Sequence, residues 1–238
     1  MKATENSTQA ASSAGCRAPL LVAIDGPAGS GKSSVARAAA KSLSFGILDT
    51  GAAYRALTWQ LLQNGADLTN QAAALTALDN WRLQLDLQNA ATVTLDDRDI
   101  TAEIRTPAVA GQVSSVSKHD EVRFRLNAWF RNTVATSGLP GVVIEGRDIT
   151  TVVAPHAPVR LILTAAADVR AARRAAEMPQ LSFEQVQQDL AARDARDLQV
   201  VDFINPAPGV TLLDTTDLDF DGAVAAVVAE IRRAQNSL

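Results

Sequence analysis

Eight consecutive residues, Gly26-Pro27-Ala28-Gly29-Ser30-Gly31-Lys32-Ser33, have the spacing G-x-x-x-x-G-K-S/T and lie between an apolar run and an alanine-rich stretch. Glycines in such a loop let the backbone curl until successive N–H groups point into one concavity. A helix that follows adds its positive end, and phosphate oxygens suit both. Lys32 would reach the β- and γ-phosphates of a nucleotide. The Ser33 hydroxyl is a hard oxygen of the kind Mg²⁺ prefers, with Ser34 as its substitute. Such a loop serves kinases, GTPases, motors and ATP-driven regulators alike. No N-K-x-D sequence is present to read guanine, which counts against a GTPase. Lysine occurs only at Lys2, Lys32, Lys41 and Lys118, and arginines far outnumber it. Planar, permanently charged guanidinium groups are what transfer of a phosphoryl group between two anions needs.

These residues must be held by elements with matching periodicity. Short apolar runs at Leu20–Ile24, Phe45–Leu48, Val142–Glu145, Val159–Thr164 and Val210–Leu213 read as strands. Helical spacing covers Ser33–Leu43, Ala52–Gln63, Glu121–Ser137, Asp168–Glu177, Phe183–Ala192 and Gly222–Gln235. The alternation predicts an α/β fold, a parallel sheet flanked by helices. Between Asp67 and Ile104 the rhythm changes, because Trp81–Leu87 and Thr92–Leu95 alternate with period two. That predicts an inserted small antiparallel sheet, with turns at Asn89-Ala90-Ala91 and Asp96-Asp97-Arg98-Asp99.

The 238 residues suffice for one large domain with insertions. No apolar run approaches the roughly 20 residues of a membrane span. A net charge of -4 argues against a nucleic-acid surface carried by overall charge. Cys16 is the only cysteine, so neither an intramolecular disulfide nor a cysteine zinc site can form, which fits the cytoplasm. Residues 1–18 lack apolar periodicity and read as a mobile tail. Ser13-Ala14-Gly15-Cys16 looks like a lipoprotein cleavage box, but no hydrophobic run precedes it.

Five motifs in order, namely the phosphate loop, Leu48-Asp49-Thr50-Gly51-Ala52-Ala53-Tyr54-Arg55, Glu103-Ile104-Arg105-Thr106, Glu145-Gly146-Arg147-Asp148 and Arg193-Asp194-Ala195-Arg196-Asp197, resemble those of bacterial cytidylate kinases. The resemblance covers almost everything after the tail. It implies a P-loop nucleoside-monophosphate-kinase fold with an insertion at about 65–120, a helical lid at about 170–196, and transfer of the γ-phosphoryl group of ATP to CMP or dCMP by a monomer. A sister enzyme acting on UMP or another small phosphate acceptor is the alternative. A non-catalytic nucleotide-binding module is a third reading.

By the same resemblance, Thr50, Tyr54, Arg55 and Arg105 line the acceptor site, with Arg55 on the acceptor phosphate. Ser114, Arg123 and Asp148 contact the cytosine ring, Arg147 sits beside the transferred phosphate, and Arg193 and Asp197 hold the ribose. Lys32, Arg147 and Arg193 are the catalytic set. Arg170 and Arg174, four apart on one helix face, resemble arginines that close over the phosphates. The reading against that role is a solvated face paired with Glu177. Asp214-Thr215-Thr216 resembles a loop near the adenine. Two departures stand out: Val200 occupies the place of an arginine that helps hold the base, and Thr150 that of a glycine.

Overall fold

The computed structural model describes residues 18–88 and 92–237. The expected tail therefore lies, but for Ala18, outside the described residues, as does the expected turn at Asn89-Ala90-Ala91. The first half of the chain runs β1 (Leu20–Asp25), α1 (Lys32–Ser42), β2 (Gly46–Asp49), α2 (Thr50–Gln63), α3 (Gln71–Asp79), β3 (Leu83–Leu85), β4 (Val93–Leu95) and β5 (Arg98–Asp99). There follow α4 (Pro107–Ala110), α5 (Val113–Ser117), α6 (Asp120–Ala135), β6 (Gly141–Glu145), β7 (Val159–Thr164), α7 (Ala167–Glu177), α8 (Phe183–Leu198), β8 (Thr211–Asp214) and α9 (Phe220–Gln235).

Five strands pair in parallel in the order β2-β6-β1-β7-β8, so the strand that feeds the phosphate loop is central. Alternation along β1 sends Ala23 to one core, with Leu48, Leu57, Leu126 and Phe130 from β2, α2 and α6. Val22 and Ile24 face the other, with Val35 and Ala39 of α1 and Val227 and Ile231 of α9. Burial on both faces is why β1, β2, β6 and β7 read as continuous apolar runs, whereas β8, at the sheet edge, is largely exposed. All carboxyl ends open on one edge, where ligands of open α/β sheets bind.

The inserted sheet forms in the order β3-β4-β5, antiparallel, but smaller than its alternation suggests. Of Trp81–Leu87, only Leu83–Leu85 is regular strand, with Arg82 and Asp86 adding one backbone hydrogen bond each beyond its ends. Asp96-Asp97-Arg98-Asp99 is not one turn. Asp96 and Asp97 alone make it, at φ 48° and 64°, and Arg98–Asp99 pairs back onto Thr94 and Leu95. Positive φ at both central residues is what a two-residue hairpin needs, and Asp tolerates it. Three helices extend two or more residues past their expected ends: α8 reaches Leu198, α2 starts at Thr50 because Asp49 caps it, and α9 starts at Phe220, capped by Asp219. Helices α3, α4 and α5 and a π-helical turn at Ile149–Val153 escaped the periodicity analysis. A signal for α3 existed, since Asn70 precedes an alanine-rich run and accepts from Ala72 and Ala73 N–H. Among the described residues no helix is long and apolar enough to cross a membrane.

Candidate active site

The loop after β1 needs glycine where backbones meet. At Gly26, φ is 150° and a Cβ would lie 2.1 Å from the Leu163 carbonyl oxygen. Gly31, at φ 81°, turns the chain into α1 without any side-chain cap on the helix start. Lys32 opens that helix, and no hydrogen bond or ion pair among the described residues engages its ammonium. Burial, then the nearby charge of Arg147, lowers its pKa to about 8. Ser33 Oγ donates to Glu145 Oε1 at 2.7 Å, whereas Ser34 is exposed.

Glu145 ends β6 in register with Ile24 and Asp49, so three strand ends bring it beside the loop. Burial first, and Asp49 second, push its carboxyl above the usual range. Motif spacing alone does not mark Glu145 as a site residue. The signal was its place as a carboxylate at the end of the strand adjoining β1.

A partly buried ionic network, centred on buried Asp194, adjoins the loop. Arg147 donates to the Gly26 carbonyl. Its Nε donates to Asp197 Oδ2 at 3.0 Å, a second nitrogen lies 2.8 Å from that oxygen and 3.4 Å from Asp194 Oδ1, and the guanidinium stacks 4.4 Å from the Phe203 ring. Arg170 donates to the Ala28 carbonyl at 2.7 Å and to Asp194 Oδ2 at 2.6 Å. Arg193 is 3.9 Å from Asp197. Arg174 is not brought to the loop; it is an exposed residue paired with Glu177 at 2.6 Å. The residue before it, Arg173, donates instead to the Ser30, Thr215 and Leu218 carbonyls and to Thr215 Oγ1. It ties the Asp214-Thr215-Thr216 loop to the phosphate loop. Spacing four apart from Arg170 pointed to Arg174, while the face that packs is one residue earlier.

On the β2 side, Asp49 accepts from Ala52 N–H and from Arg55, each at 2.9 Å. Burial alone would raise its carboxyl, but Arg55 and that N–H outweigh it and hold it low. Thr50 Oγ1 donates to the Glu145 carbonyl. Burial drives the Tyr54 hydroxyl above its ordinary value. Desolvation and the charge of Arg55 lower Arg105. Ser114 is half-buried on α5, which packs on α2.

Arg123 pairs with Asp148 at 2.9 Å, and burial still leaves that carboxyl raised. The same guanidinium reaches the carbonyl of Val200 at 3.5 Å, so an arginine from α6 stands beside the position that lacks one. Thr150 has found a use for its hydroxyl. With its own N–H and that of Ile149 it donates to buried Asp25, holding the turn that carries Asp148 beneath β1.

The family model for cytidylate kinase matches residues 22–233. The chain belongs to the cytidylate kinase family. A cytidylate kinase of Cutibacterium acnes is 41% identical over 213 residues, 88% of this chain and 95% of that protein. One from Lactiplantibacillus plantarum is 38% identical over 224 residues, 92% and 97% of the two chains. Among solved structures, a gluconokinase from Sinorhizobium meliloti shares the fold, with a TM-score of 0.50 at 16% identity over 92% of this chain and 96% of that one. The cytidylate kinases thus align with this chain across the sheet, the inserted segment and the α7–α8 hairpin alike.

Proposed function

We propose that this chain transfers the γ-phosphoryl group of ATP to CMP or dCMP, giving ADP and CDP or dCDP. One observation carries the reading beyond family membership: the phosphate loop and the end of β2 meet at Glu145, which accepts from Ser33 Oγ and lies in register with Asp49, the partner of Arg55. A donor phosphate on the loop and an acceptor phosphate at Thr50, Arg55 and Arg105 would meet between them.

The acceptor oxygen is already ionised, so no strong general base is needed, and the work reduces to alignment and charge neutralisation. Lys32, Arg147 and Arg193 face the transferring group, with Arg170 closing the donor side. Buried Ser30 Oγ, Arg55 Nε and Arg170 Nε have no hydrogen-bond partner among the described residues, which fits residues arranged for anionic ligands. Ser33 with Glu145 suits Mg²⁺, which takes one or two protein oxygens and leaves the rest of its shell to phosphate and water. Bound there, the ion would neutralise phosphate charge.

Arg193 and Asp197 hold the ribose, Asp148 accepts from the cytosine amino group, and Ser114, Tyr54 and Arg123 complete that pocket. Residues 65–120 serve as the acceptor-side insertion and α7–α8 as the lid. The chain acts as a monomer in the cytoplasm, a reducing compartment in keeping with its single cysteine.

Release of ADP from ATP, measured with CMP, dCMP and UMP, tests the reading. Uracil would set an acceptor against Asp148, worth roughly 1–3 kcal/mol by analogy with base reading elsewhere, or about fivefold to a hundredfold in favour of cytosine. Equal use of UMP would hand the reading to the uridylate alternative, and no release with any acceptor would end it.

A further inference from the structure

Asp194 belongs to none of the roles above, yet it is buried at the centre of the network. Its Oδ1 accepts the backbone N–H of Ala28 at 2.8 Å and lies 3.4 Å from Arg147. Its Oδ2 accepts from Arg170 at 2.6 Å. One carboxylate from α8 therefore holds the phosphate loop, an arginine from α7 and the arginine after β6.

The contacts around it are close. Ala28 packs with Ala171, Val186 and Leu190 in a small core of its own, and a Cβ on Gly29 would fall 3.0 Å from the Arg170 carbonyl oxygen. Asp197, one helical turn on, holds Arg147 from the other side. Helix α8 thus grips the donor loop through Asp194 and the proposed ribose site through Asp197.

We propose that Asp194 is a positioning residue that seats the α7–α8 hairpin on the phosphate loop and aims Arg170 and Arg147 before nucleotide arrives. The proposal rests on the phosphate-facing roles just given to those arginines. A guanidinium bonded to a buried carboxylate holds one direction, and transfer is sensitive to displacements of about 1 Å, which cost on the order of 10²-fold.

The test is Asp194→Asn, which keeps size and one acceptor but removes the charge. Turnover should fall on the order of 10-fold to 100-fold. The KM for CMP should stay within about threefold, because Asp197 still holds Arg147. In an Arg170→Ala background the same change should add less than about threefold, since Arg170 is gone and Arg147 is still held by Asp197. A purely structural role would multiply independently and move KM as well. A folded Asp194→Asn enzyme with wild-type turnover, or independent losses in the double variant, overturns the proposal. Should the variant not fold, amide-resolved hydrogen exchange on the ligand-free wild type decides: protection of the Ala28 N–H supports the contact, and free exchange refutes it. That amide reports even if the wild type phosphorylates no nucleoside monophosphate, so failure of the proposed function and failure of this proposal are read separately.

Discussion

Two cations of one site are treated in opposite ways. Arg147 is bonded before any ligand arrives, to a loop carbonyl and two carboxylates, with an aromatic face beneath it. Lys32, close enough for the two charges to repel, is engaged by no hydrogen bond or close ion pair among the described residues; Glu145 and Asp49 act on it only from a distance, and its pKa falls to about 8. The fold has spent structure on fixing the arginine and has left the lysine to be satisfied by substrate. A rigid fork loses little by being held in advance, whereas a compact ammonium on a flexible stem can follow a moving phosphoryl group. Preorganised arginines and one uncommitted lysine are what a transfer without a general base requires.

Removing the uncommitted cation should produce the largest effect. Lys32→Met should cost on the order of 10²-fold or more in turnover. It should at the same time raise the melting temperature of the ligand-free enzyme at neutral pH. The sign follows from linkage: the folded pKa of about 8 lies below the ordinary 10.5, so the buried charge opposes folding below about pH 8 and the penalty is relieved as pH rises toward 10.5. Its size is on the order of 1–3 kcal/mol. Steady-state assay with thermal melts at pH 7 and pH 10 checks both parts. A variant that is inactive but no more stable than wild type would mean that Lys32 already has a partner in solution.

A smaller effect is expected at Glu145, whose carboxylate is partnered by Ser33. Glu145→Gln keeps a hydrogen-bond acceptor but removes the charge proposed to help hold Mg²⁺. Turnover at saturating Mg²⁺ should drop roughly 10-fold, and the Mg²⁺ concentration for half-maximal rate should rise by a comparable factor. Titrating Mg²⁺ at fixed ATP reads this directly. An unchanged Mg²⁺ requirement would confine Glu145 to its bond with Ser33.

The uncommitted half of the comparison was legible in the sequence, and the prebuilt half was not. The phosphate loop is local, so eight adjacent residues and the elements flanking them identify it. The parallel sheet was legible too, because strands buried on both faces leave continuous apolar runs. What holds Arg147 and Arg170 is spread over the chain: Asp194 meets Ala28 across 166 positions, and Ser33 meets Glu145 across 112. No spacing rule reports such contacts. Arg173 shows the same limit, since its bonds to Ser30, Thr215 and Leu218 depend on the rotation at which α7 docks, and helical periodicity does not give that rotation. Short helices such as α4 and α5 were missed because four or five residues hold too few turns for a period to register.

The most direct test of the contrast is the titration of the Lys32 ammonium itself, followed by NMR of isotopically labelled lysine without and with ATP, the signal assigned by its loss in Lys32→Met. Four lysines make that spectrum simple. The ligand-free enzyme should show Lys32 titrating near 8, and nucleotide should move it upward as phosphate supplies the missing anion. A Lys32 that titrates near 10.5 in the empty enzyme and does not respond to ATP would contradict the account.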